Sequence, residues 1–135
     1  MTRFVVCPAT LMKVLVQGMP VSEGHQLVGP GSLRSQVLDL LLREVNEGRM
    51  TEAQALEHHE RLTTMKMRLL NDRVSRRVAW NIARAKGWDS VRDAEHLAVA
   101  KLQADALVTI DERLAAAAEG IVRVAQLEEL RRAAR

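Results

Sequence analysis

The sequence predicts an α/β fold: a three-layer α/β/α sandwich around a short central parallel sheet of four or five strands. Two observations carry this expectation. Short apolar runs, Phe4-Val5-Val6-Cys7 and Ala106-Leu107-Val108-Thr109-Ile110 among them, alternate with stretches of helical periodicity. Runs without polar alternation suit strands covered on both faces, as in parallel sheets. The second observation is composition. The chain has 135 residues, 47% apolar and 27% charged, enough to bury one core of ordinary size. We read residues 1–130 as a single domain and 131–135, with Arg131, Arg132 and Arg135, as a basic tail.

The elements follow in order. Phe4 to Cys7 is a first strand, and Pro8 suits the first turn of the helix after it. Leu11, Met12, Leu15 and Val16 recur at helical spacing, and Gly18 ends the run. Gln26-Leu27-Val28 is a second strand, closed by Gly29-Pro30-Gly31. Ser32 opens a long helix carrying Leu33, Val37, Leu40 and Leu41, which Gly48 stops. Thr51 and Gln54 form a capping box for a helix to about Thr64. Met67 to Leu70 is a weaker strand signal. Asp72 caps a helix through Ala85, ended by Gly87, and Ser90 caps the next, which carries Ala94, Leu97, Ala98 and Lys101. Ala106 to Ile110 is the clearest strand. A short helix from Asp111 to Ala118, a last strand at Ile121 to Val124 and a last helix from Leu127 to Ala133 complete the chain.

Composition also excludes several function classes. A single cysteine, Cys7, rules out an intramolecular disulfide framework. No apolar run approaches the roughly 18 residues of a membrane helix. Pro8, Thr10 and Lys13 interrupt the opening apolar stretch, and no small-residue cleavage pattern follows, so the expectation is a cytoplasmic protein without membrane association. Aromatic residues are 2% of the chain, namely Phe4, Trp80 and Trp88. That scarcity disfavours nucleic-acid modules that stack bases on aromatic platforms. Net charge is only +3, but Arg61, Lys66, Arg68, Arg73, Arg76, Arg77, Arg84 and Lys86 face Asp72 alone in their segment. This run reads either as a polyanion-binding surface or as a solvated helix face.

In a parallel sheet, binding sites lie beyond the carboxyl ends of the strands. The informative positions are then Cys7, the segment from Gly29 to Gln36, and Asp111. Asp111 closes the strongest strand, and Asp93 lies in the first turn of the preceding helix. A carboxylate at a strand end caps the next helix or binds a hard divalent cation. Cys7, Asp93, Asp111 and His96 together would instead suit a softer ion such as Zn²⁺.

These same segments resemble a known family. Asp93-Ala94-Glu95-His96-Leu97-Ala98-Val99-Ala100 followed by Ala104-Asp105-Ala106-Leu107-Val108-Thr109-Ile110-Asp111 resembles the C-terminal half of a PIN domain. Phe4 to Leu11 and Leu27 to Leu38 resemble the family's first and second strands with their helices. The family includes the VapC-type toxin ribonucleases, which cleave RNA with Mg²⁺ or Mn²⁺ held by about four acidic residues. The resemblance implies metal ligation by Asp93 and Asp111, with Cys7 and Gln36 standing where the family has acids. It further implies a homodimer and an antitoxin-like protein partner, and the basic run, through Arg73, Arg76, Arg77 and Arg84, would then hold the RNA backbone. With half of its acidic cluster replaced, the chain is expected to have weak or no nuclease activity. The alternative is a non-catalytic PIN-like protein that acts by RNA, partner or self association.

Overall fold

The structure, a computed structural model, describes residues 1–132. Five strands form one all-parallel sheet in the order β3-β2-β1-β4-β5. They are β1 (Thr2–Val6), β2 (His25–Pro30), β3 (Met67–Leu70), β4 (Ala106–Val108) and β5 (Val124–Ala125). Six helices cover them: α1 (Pro8–Gln17), α2 (Leu33–Asn46), α3 (Glu52–Thr64), α4 (Arg73–Lys86), α5 (Arg92–Gln103) and α6 (Glu112–Ala117). The predicted three-layer sandwich is the observed architecture.

Strand geometry divides the core. Successive side chains point to opposite faces. Phe4, Val6, Leu27, Ala106 and Val108 therefore pack against Leu11, Val14, Leu33, Val37, Leu41 and Leu62 from α1, α2 and α3. Val5, Cys7, Val28 and Leu107 face the other way, against Leu97, Val99, Leu114 and Ala118 from α5 and α6. A third cluster joins α4 to α5: its buried members are alanines, Ala79 and Ala83 against Ala94 and Ala98, flanked by half-buried Val78, Ile82, Trp88 and Val91. Small side chains let those two backbones approach closely.

Several boundaries differ from expectation, each for a visible reason. β2 continues through Gly29 and Pro30, which pair with Leu69 and Leu70. Pairing with β1 has already ended at Val28, so the missing Pro30 N–H breaks no ladder. β4 stops at Val108, because the Ile110 N–H turns to the Thr10 hydroxyl (2.9 Å). The last strand begins at Val124 and not at Ile121. Ile121 and Val122 both donate to the Ala118 carbonyl (2.9 and 3.1 Å), closing α6. Ser90 does not occupy the N-cap position of α5; Val91 does, with no side-chain cap, while the Ser90 hydroxyl one residue earlier accepts from Arg92 N–H. The last helix is a single 3₁₀ turn, Leu127–Leu130. The predicted extension fails at Arg131 and Arg132, which form a turn and a bend, while Ala133 and Arg135 lie outside the described residues. Gly18, Gly48 and Gly87, expected to end helices, all adopt positive φ, as does Gly120 after α6. At Gly87 (φ 70°) this left-handed turn lets two N–H groups return to the carbonyls of Ala83 and Arg84.

Candidate functional site

The chain crosses from one side of the sheet to the other between β1 and β4. Helices after β1 and β2 cover one face, and α5 and α6 cover the other. A crevice forms at the carboxyl ends of strands where such a reversal occurs. Here it is a cleft of 190 Å³ lined by Cys7, Gln36, Asp39, Arg43, Arg92, Asp93 and Asp111, with Pro8, Ala9, Leu40 and Leu114. The four positions singled out by sequence, Cys7, Gln36, Asp93 and Asp111, come from four different elements and meet there. Asp39, one turn after Gln36, joins them.

The cleft floor is tied up internally. Cys7 is buried, and its Sγ lies 2.9 Å from the Thr10 hydroxyl and 3.0 Å from the Thr109 hydroxyl. Each hydroxyl also accepts a backbone N–H, from Ile110 and from Asp111 respectively. This knot joins β1, the first turn of α1 and the loop that carries Asp111. Sequence reasoning missed Thr10 and Thr109. The available signal was a threonine on the buried stripe of an apolar helix, where a hydroxyl needs a partner.

Gln36 is held at both ends of its amide. Nε2 donates to the Ser32 hydroxyl (2.8 Å), which takes that hydroxyl away from helix capping. Oε1 lies 3.1 Å from Nε2 of His96, which donates in this arrangement. The bridge links α2 on one face to α5 on the other. His96 is fully buried, its Nδ1 has no partner, and burial lowers its pKa from 6.5 to about 4. It is a neutral packing residue.

Asp111 caps α6. Its Oδ1 accepts from the N–H groups of Arg113 (2.9 Å) and Leu114 (3.3 Å). Asp93 is exposed in the first turn of α5, where a carboxylate also complements the helix dipole.

Mg²⁺ and Mn²⁺ prefer oxygen donors, and Mg²⁺ demands near-octahedral geometry. The residues present do not fit that requirement. One position offers sulfur engaged by two hydroxyls, one offers an amide oxygen engaged by His96, and Asp111 has an oxygen committed to capping. Among the described residues, no three His, Cys, Asp or Glu side chains are placed to hold a metal ion. The Zn²⁺ grouping fails as well, because His96 turns its Nε2 to Gln36 and buries its other nitrogen.

The basic segment splits. Arg61, on α3, donates to the Leu15 carbonyl of α1 (2.7 Å), on the same face of the sheet. The four arginines of α4 are all exposed. At about 100° per residue, Arg73, Arg77 and Arg84 share one outer stripe with Trp80. Arg76 lies beside it and donates to the Asn71 carbonyl (2.6 Å). Among the described residues the ion pairs are Arg49 with Glu44 and Glu47, and Arg123 with Glu129, so the α4 arginines carry no paired acid. No described helix is long and apolar enough to cross a membrane.

No family model and no curated protein matches this chain. Among solved structures it is similar to the crystal structure of PAE2754 from Pyrobaculum aerophilum. That likeness has a TM-score of 0.71 and 20% sequence identity, over 96% of this chain and 93% of the other. At that identity the shared property is the fold, an all-parallel α/β sandwich extending over nearly the whole of both chains.

Proposed function

We propose that this chain is a PIN-like domain with weak or no nuclease activity, acting by binding RNA. The observation that carries this reading is the convergence of Cys7, Gln36, Asp93 and Asp111 in one cleft whose thiol and amide are hydrogen-bonded to the protein itself. The unpaired arginines of α4 supply the favourable charge for a polyanion. In this reading the protein is cytoplasmic and homodimeric, and an antitoxin-like protein is its natural partner.

Calorimetric titration with Mg²⁺ and Mn²⁺, alongside RNA incubation in the presence of Mn²⁺, tests the reading. Neither cation is expected to bind in the micromolar range. Cleavage is expected to be no faster than in the double variant Asp93→Asn, Asp111→Asn. The combination Cys7→Asp with Gln36→Glu is expected to gain cation affinity, because it replaces two neutral groups with hard anionic oxygens. Micromolar Mg²⁺ binding by the unaltered chain, or cleavage that Asp93→Asn and Asp111→Asn abolish, would overturn it.

A further inference from the structure

Three aromatic residues occur in the chain; Trp80 lies within the cationic segment and Trp88 two residues past its end. Phe4 is in the core, edge-on to the His25 ring at 5.0 Å. Trp80 is 57% exposed. It occupies the middle of the α4 stripe, with Arg77 three positions before it, Arg84 four after, and Arg73 one turn beyond Arg77. Single exposed aliphatic residues are ordinary on a protein surface. An indole left in water amid three unpaired guanidinium groups is a different arrangement. The low aromatic content argues against base-stacking platforms in general; the placement of Trp80 argues for one that holds a single base.

We propose that the outer face of α4 binds single-stranded RNA, with a base stacked on Trp80 and backbone phosphates on Arg73, Arg77 and Arg84. The inference rests on the RNA-binding reading and adds which form of RNA, and where. Stacking requires a free base face, which a duplex keeps inside its own stack. The stripe spans about 16 Å along the helix axis. Just past its end, Trp88 lines a hollow with Asp89, Arg92, Asp93 and Arg113. Arg92 and Asp93 line the cleft as well, so that hollow and the cleft are continuous.

Binding of a labelled, unstructured RNA 12-mer, followed by anisotropy, tests this. Trp80→Ala is expected to weaken it by at least about five-fold, the lower end for one stacked base, without changing the salt slope. Trp80→Phe is expected to retain most of the affinity. Arg77→Ala is expected to reduce the salt slope by about 0.7, the loss of one phosphate contact on a single strand. In a Trp88→Phe background, where Trp80 alone emits, the RNA is expected to change the fluorescence saturably. Unchanged affinity in Trp80→Ala overturns the inference while leaving RNA binding intact. So does equal competition by duplex RNA, inorganic polyphosphate or polyglutamate, the last pointing to an acidic protein. Failure of any polyanion to bind at low salt overturns the RNA-binding reading as well.

Discussion

At the scale of single residues, the cleft is governed by who holds whom. The sequence offered His96 as a member of a soft-metal group, whereas the fold buries it on the apolar face of α5 with a partner no local reading shows. Gln36 is 60 positions away, and no local spacing rule reaches that far. The burial has a consequence that titration reveals. His96 is neutral in the fold, with its pKa lowered from 6.5 to about 4 by burial. Between those values the unfolded chain binds the proton and the folded chain does not. Stability is therefore fully present above pH 6.5 and falls as pH drops toward 4, by an amount on the order of 3 kcal/mol. Urea unfolding across that interval should show the midpoint falling with acid. In His96→Gln, which has no proton to take up, most of that dependence should vanish. A wild-type midpoint that stays constant from pH 6.5 to 4 would contradict the assignment.

At the scale of elements, caps and breakers were the most readable features. Thr51 and Gln54 form the capping box that their spacing announced, and Asp72 caps α4 by accepting from Ser75 N–H. The boundaries that shifted were those decided by distant partners, such as Ile110 turning to Thr10. Least readable was the alanine seam. Ala79, Ala83, Ala94 and Ala98 look like helix formers with no special role, yet they fix α4 on α5. Ala94 and Ala98 are wholly buried, so a longer side chain has nowhere to go. Ala94→Leu is expected to cost about 1–3 kcal/mol by overpacking, measured by chemical denaturation. Ala85→Leu, on the exposed side of α4, is expected to cost less than about 0.5 kcal/mol. Equal stability of the two variants would mean that the seam does not locate α4.

At the scale of the whole molecule, strand order creates the cleft and charge distribution selects what approaches it. The alternation of strand and helix made the sandwich legible, and the rule for strand ends pointed to Cys7, Gln36 and Asp111 before their proximity was seen. Which of them remained free for chemistry was not legible, because that depends on hydroxyls and amides brought from elsewhere in the chain. A net charge of only +3 cannot hold a polyanion by itself. The attraction must come from the local array on α4, and two measurements distinguish such an array from a metal-bridged contact. With about three phosphates engaged on a single strand, log affinity should fall against log salt with a slope near −2. Between 50 and 200 mM salt that is a loss of about twenty-fold. Addition of EDTA should change nothing, since no cation bridges protein and phosphate. A flat salt dependence would remove the arginines from the interface. RNA binding that EDTA abolished would restore a metal to the cleft, and with it the nuclease reading that Cys7 and Gln36 oppose.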